Sequence, residues 1–429
     1  MLKKSLKYII PSILTALLGG IYIIIDGFFV GNKLGDTGLA ALNIAWPITG
    51  LIQSLGIGIG LAGGIYLSFA QGKNDKESEE KVLKTTYMSL LFVSILMMTL
   101  LFVLNPLLRL LGTDNDTHKY AYDYLTVILY GAIFQVFGQA LIPIVRNYGK
   151  LKWVTIGMIV SSVMNFIGDY IFIYLLDLEL IGAAIASIIG QATYAIIAFV
   201  VLLKSKKFIL GKPNNNMILK IGKSMIAPFI LNFSASFIII IYNFRCLKYG
   251  GNEAVATYTV YAYLFFIVAI IAAGVGDGLQ PIISYHYAKN EKDNVKEILK
   301  IGYIVANAIC LIITIILFVL GDFISDGFSL EGTSKMMFTN GYIYFVIGFL
   351  FIATARMTMS YLYAIESVKL ANLLVILEPF ILSLIFLYTL PIWFKLDGVW
   401  ITYMLCQIIV AIASVIIVLI KIRGEKQNV

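Results

Sequence analysis

Residues in the first half of this chain return, in order and without a gap, 216 positions later. Gly35 recurs as Gly251, Ala40 as Ala256, Gly58 as Gly274, Gly60 as Gly276 and Ser68 as Ser284. The run Lys73, Asn74, Asp75, Lys76 comes back as Lys289, Asn290, Glu291, Lys292, and Leu180, Gly182 and Gln191 as Leu396, Gly398 and Gln407. A register held over half of a 429-residue chain points to a duplicated structural unit. The duplicated material is apolar: hydrophobic residues make up 60% of the chain, charged residues 13%, and the mean hydropathy is +0.91. Such values exclude an ordinary soluble domain.

With about 20 apolar residues needed to cross a bilayer, twelve spans are expected: 8–30, 45–70, 85–108, 120–145, 153–176, 181–203, 217–244, 254–287, 298–320, 338–364, 370–394 and 399–420. The fold class this implies is an all-α polytopic membrane protein of two pseudo-symmetric six-helix lobes. The expected domains are an N-terminal lobe over 1–203, a linker over 204–216 and a C-terminal lobe over 217–429. The linker is basic and carries Pro213 followed by Asn214, Asn215 and Asn216, which suits an exposed connection.

Of the 32 lysines and arginines, 24 fall in the termini, the alternate loops and the span ends beside them, 7 in the intervening loops, and Arg356 lies deep inside a span. The positive-inside rule then puts both termini in the cytoplasm of a multi-pass plasma-membrane protein. The net charge of +8 is explained by basic loops lying against anionic lipid, so nucleic acid is not an expected partner. Because six spans per repeat is an even number, the repeats are expected to be parallel around a central cavity, the usual plan of a secondary transporter. Cys246, Cys310 and Cys406 are too scattered for a disulfide framework or a zinc site and read as small core residues. Lys3, Lys4 and Lys7 imitate a signal peptide, but the apolar run after them is long and contains Asp26, so it reads as the first helix.

The stretches Asp26-Gly-Phe-Phe-Val-Gly31, Leu39-Ala-Ala-Leu-Asn-Ile-Ala-Trp-Pro47 and Gln280-Pro-Ile-Ile-Ser-Tyr285, with the Asn165 and Asp169 pair, resemble the multidrug and toxic compound extrusion (MATE) family, bacterial branch. The resemblance runs from the first helix to the last. It implies two six-helix lobes that export amphipathic, often cationic, organic compounds in exchange for sodium ions or protons. It further implies that acidic and amide side chains of the first and fifth helices, here Asp26, Asn165 and Asp169, couple transport to the cation. No cofactor beyond Na+ or H+ is expected, the expected partners are the lipid bilayer and an organic cation substrate, and the chain is expected to act as a monomer.

The charges, taken alone, point to the same residues. A carboxylate in hydrocarbon costs about 2.5 to 3.5 kcal/mol on insertion scales, so intramembrane acids face a cavity or a partner. At 1.5 Å per residue, Asp26 and Asp169 both lie about 25 Å from the cytoplasmic edge, and Asn165 is one turn from Asp169 on the same face. Two carboxylates and an amide there could hold sodium or share a proton; alternatively Asp26 anchors a helix near the interface. Their repeat counterparts, Tyr242 for position 26 and Ile385 for position 169, cannot substitute.

A second charge group, Asp277, Arg356 and Glu378, falls at a common depth of about 12 to 17 Å in the C-terminal lobe. It reads as a buried salt-bridge network or a second coupling site. Gln135 and Gln139, one turn apart, are candidates for the cavity wall or for interhelical hydrogen bonds. The glycines at 56, 58, 60, 63 and 64, echoed at 274, 276 and 278, permit close packing or bending. No Walker A, HExxH or GxSxG pattern is present, which argues against an enzyme or an ATP-driven pump. A flippase for a lipid-linked saccharide shares the fold plan and is the competing reading.

Overall fold

The computed structural model describes residues 2–365 and 367–427, and these form helices without a strand. Eight helical segments are long and apolar enough to cross a membrane, and a ninth is the pair Asn115–Tyr130 and Ala132–Asn147, bent by 59°. Three of the eight contain a backbone break, at Gly35, Gly251 and Lys395, where the helix path is interrupted. Divided at these breaks, the described residues give, beside the short helix Gly321–Gly327, twelve long helices. They are α1 (2–34), α2 (36–72), α3 (Lys76–Leu110), α4 (115–147), α5 (151–175), α6 (Glu179–Lys204), α7 (215–250), α8 (252–288), α9 (Lys292–Val319), α10 (Gly332–Ala364), α11 (368–394) and α12 (396–427).

The interruptions keep the register of the sequence repeat. Gly35 (φ 61°, ψ −152°) and Gly251 (φ 67°, ψ −160°) occupy a backbone region that is essentially glycine-only, which explains why this residue type recurs. Asn74 and Asn290 both have positive φ, at 54° and 61°, after α2 and α8. Glu179 and Lys395 do so too, at 51° and 49°. Asparagine tolerates the left-handed region better than most residues. The duplication is therefore written in the backbone as well as in the side chains.

The chain forms two compact units, one of residues 25–240 and the other of residues 1–24 with 241–429. Relative to the expected lobes, residues 215–240 of α7 belong to the first unit and residues 2–24 of α1 to the second. Small residues make both dockings close. In the first unit, a Cβ on Gly58 of α2 would stand 3.2 Å from the Met225 carbonyl oxygen of α7, and the Tyr66 and Ser224 hydroxyls meet at 2.9 Å. In the second, a Cβ on Gly274 of α8 would lie 2.8 Å from Ile13 Cα of α1. Gly58 and Gly274 are repeat partners, so the same device serves each unit.

Within the 25–240 unit, α2 also approaches α4 closely. A Cβ on Gly56 or Gly60 would fall 2.6 or 2.4 Å from the carbonyl oxygens of Val136 and Ala140. The core around this contact is aliphatic, with Leu42, Ile52, Leu125 and Leu141 fully buried. The other unit is built on aromatic rings: Tyr261 stacks on Phe345 at 4.0 Å, meets Trp400 edge-on at 5.4 Å and donates to the Phe338 carbonyl at 2.5 Å. Cys246, Cys310 and Cys406 are buried and free.

The connection after α6 is fastened to the 25–240 unit. Lys207 Nζ lies 2.6 Å from Glu79, whose same oxygen accepts from the Tyr148 hydroxyl at 2.6 Å. Phe208 stacks on Tyr87 at 4.7 Å, and the Asn214 backbone N–H donates to Thr85 at 3.0 Å. Polar composition alone suggests a loose tether; the apolar Phe208 and the shared carboxylate hold it against the helices.

Candidate functional site

Asp26, Asn165 and Asp169 come together inside the 25–240 unit, where they are 7%, 1% and 0% exposed. Asn165 and Asp169 lie beside the Asp26 carboxyl. A fourth residue completes the group: Ser187 of α6 donates to Asp26 Oδ2 at 3.0 Å and is itself buried. Sequence reasoning missed Ser187, because a serine in an apolar helix carries no signal of its own. Its place opposite Asp26 depends on how α6 packs.

That packing is set by small residues. A Cβ on Gly190 would stand 3.2 Å from the Asn165 Cβ and one on Gly168 2.9 Å from the Ala186 Cβ, so α5 and α6 run nearly in contact. The Ser161 hydroxyl donates to the Gly190 carbonyl at 2.7 Å and fixes their register. Phe29, one turn after Asp26 on α1, packs against Phe166 and Tyr174 of α5 at 5.7 and 5.6 Å between ring centroids. Directly after Asp169 the helix widens into a π turn over Tyr170–Leu175. Such turns recur at functional positions in helices, where the extra residue re-aims side chains.

The group holds more hydrogen-bonding capacity than it uses. Asp26 Oδ1, both oxygens of Asp169 and both polar atoms of the Asn165 amide are buried without a well-directed partner. Buried polar atoms in native proteins are satisfied as a rule, and each exception calls for a reason. Two carboxylates in one low-dielectric enclosure repel unless a positive charge sits between them. Oxygens from two acids, an amide and a hydroxyl form a donor set that suits a hard cation, and the acid pair equally suits a proton.

The matching positions of the other unit carry different chemistry. Asp26, Asn165, Asp169 and Ser187 correspond to Tyr242, Ile381, Ile385 and Tyr403. Tyr242 is buried and stacks on Tyr258 at 4.9 Å, Tyr403 stacks on Phe345 at 4.3 Å, and the two isoleucines are exposed on the helix surface. The polar enclosure thus exists in one unit, and an aromatic core fills its counterpart.

The second charge group is spaced more widely than a salt-bridge network requires. Among the described residues no ion pair joins Arg356 to Asp277 or Glu378, although its charge acts on both. Asp277 accepts instead from Ser360 at 3.2 Å, and Glu378, within the π turn Leu377–Leu382 of α11, accepts from Gln407 at 2.6 Å. Gln407 is a partner that the sequence repeat flagged as conserved in register with Gln191 without revealing its role. Gln135 is buried with its Oε1 unpartnered, and Gln139 is half-buried. Neither is held to the Asp26 group by a hydrogen bond among the described residues.

Comparison with known proteins agrees with this architecture. The model of the family described as MatE matches twice, over residues 11–171 and 225–389. The two matches repeat the duplication seen in the sequence. The chain is 26% identical over 408 residues to the multidrug export protein MepA of Staphylococcus aureus (strain MRSA252), covering 91% of this chain and 89% of that protein. It is likewise 26% identical to MepA of Staphylococcus saprophyticus over 435 residues, covering 97% and 93%. A solved structure described as the inward-facing conformation of a multidrug resistance MATE family transporter superposes with a TM-score of 0.88 at 20% identity, covering 96% of each chain.

Proposed function

Because this chain belongs to the MatE family, we propose that it is a secondary active exporter of amphipathic, cationic organic compounds, driven by the inward flow of sodium ions or protons. The observation that carries the reading is the buried acid pair Asp26 and Asp169, whose oxygens lie unpartnered beside Asn165 and Ser187. Burying two acids together is costly, and taking up a cation offsets that cost. Binding there shifts the balance between two transporter states only if the cation has different affinity for them. The similarity to multidrug export proteins supports export of drug-like molecules as the transported class. Basic loops support termini on the cytoplasmic side of the plasma membrane.

The test is transport by the purified protein in proteoliposomes with an imposed sodium or proton gradient. Asp26→Asn keeps the shape of the side chain and removes its charge, so it should abolish gradient-driven uptake of a fluorescent organic cation while leaving equilibrium binding of that cation largely intact. Wild-type uptake rates with unchanged ion dependence in Asp26→Asn would place the coupling elsewhere, with Asp277 and Glu378 as the next candidates.

A further inference from the structure

Among the described residues, a guanidinium without a counter-ion lies at the α7 end of the 241–429 unit. Arg245 is 8% exposed, and its head stands 4.5 Å from the ring centroid of Tyr388 on α11 and 5.1 Å from that of Tyr249. One amino group donates to the Tyr249 hydroxyl at 3.4 Å, while Nε has no partner among the described residues. Less than one turn further on, Lys248 is exposed, with its ammonium 5.6 Å from the same Tyr249 ring centroid. No acid pairs with either cation among the described residues. Glu253, the nearest acid in sequence, faces Gly251 instead.

The repeat shows what a neutralised version of this corner looks like. In the 25–240 unit Lys33, which corresponds to Tyr249, is bonded to Asp177 at 2.7 Å. In the 241–429 unit the position of Asp177 is taken by Trp393 and that of Phe29 by Arg245. Lys248 stands where Asn32 does and Tyr249 where Lys33 does, so this corner holds one cation more and one acid fewer than its counterpart. Arginine stays charged, and stacking on tyrosine attracts the charge without neutralising it. A buried charge in a membrane protein is ordinarily matched by an opposite one.

The surroundings say where that opposite charge comes from. Ile381, Ile385, Tyr388 and Ile392 follow one face of α11, and all are exposed, as expected of a lipid-facing stripe. Tyr388 belongs to that stripe and covers the guanidinium. Arg245 precedes the break at Gly251 by six residues, about 9 Å along the helix axis, and leans toward the break through Tyr249. Exposed Trp393 and Phe394 stand at the corresponding end of α11, the depth at which aromatic residues meet headgroups. We propose that Arg245, assisted by Lys248, binds the phosphate of an anionic phospholipid at this α7–α11 corner. The guanidinium charge suits a phosphate, the exposed Lys248 ammonium adds a second charge beside it, and the acyl chains then lie along the isoleucine stripe. The site is separate from the acid enclosure and does not depend on the coupling reading.

Native mass spectrometry of the full-length protein, titrated with phosphatidylglycerol, phosphatidylcholine or inorganic phosphate, tests the proposal. Wild-type protein should prefer phosphatidylglycerol to phosphatidylcholine by about fivefold or more, the gain expected per basic residue at an anionic headgroup. Arg245→Gln should remove that preference, Lys248→Gln should weaken it, and Lys33→Gln, at the neutralised corner, should leave it unchanged. Equal affinity of the wild type for the two lipids would overturn the proposal, and so would a full preference retained by both Arg245→Gln and Lys248→Gln. Displacement of phosphatidylglycerol by inorganic phosphate at equal concentration would reassign the site to a free anion. Should Arg245→Gln not fold, the wild-type comparison and the exposed Lys248→Gln still decide.

Discussion

At the scale of single residues, the acid enclosure combines two kinds of information. Asp26, Asn165 and Asp169 are legible in the sequence because a carboxylate inside an apolar helix is costly and therefore conspicuous. Ser187 is not, since serine is cheap in a helix and meets Asp26 only through the Gly168 and Gly190 contacts of α5 and α6. Its hydroxyl donates to Asp26 Oδ2 and also presents lone pairs to the enclosure. Ser187→Ala should therefore weaken the apparent affinity for the coupling ion by about tenfold, in the range seen when a residue supporting a ligand is removed. Maximal transport at saturating ion should fall much less. The ion dependence of uptake in proteoliposomes separates the two effects, and an unchanged half-saturation would remove Ser187 from the site. The Arg356 group was legible in part: its depth placed the three charges in one lobe, but Ser360 and Gln407, which hold the two acids, are again small or uncharged residues.

At the scale of elements, helix number and position could be read from apolar runs, whereas the breaks and widenings could not. Gly35 and Gly251 look like two of 36 glycines until the backbone shows them in a glycine-only conformation. Adding a Cβ there forces strain of about 1 to 3 kcal/mol, so Gly35→Ala and Gly251→Ala should each lower the thermal unfolding midpoint of the purified protein. Gly222 on α7 gives the contrast. It has helical neighbours and open space where a Cβ would go, so Gly222→Ala should be neutral or slightly stabilising. If Gly35→Ala and Gly222→Ala melted together, the breaks would not depend on glycine. The π turns after Asp169 and around Glu378 follow the same lesson, because a single inserted residue leaves no trace in hydropathy. The linker is similar: Glu79, Tyr148 and Lys207 are remote in sequence, and their shared bond appears only when α3, α4 and the segment after α6 are folded.

At the scale of the whole molecule, the duplication was the strongest sequence signal, and its departures carry the functional content. Equivalent breaks at Gly35 and Gly251, Asn74 and Asn290, and Glu179 and Lys395 show that the two halves share a backbone plan. The four enclosure positions share no chemistry: Asp26, Asn165, Asp169 and Ser187 stand against Tyr242, Ile381, Ile385 and Tyr403. An ion that acts through the enclosure must then act on one unit first. Hydrogen exchange read by mass spectrometry, with sodium added or pH lowered in separate arms, should slow exchange in the segments around residues 25–34, 160–175 and 183–190. The counterpart segments around 241–250, 376–391 and 399–406 should change little at the same step. Occupancy lowers the free energy of the state that binds the ion better, and the amides nearest the ligand open less often in that state. An equal response in both sets of segments, or a response that survives in Asp26→Asn, would mean that the ion acts outside the enclosure. In that event the unlike chemistry of the two halves would have to serve substrate binding rather than coupling.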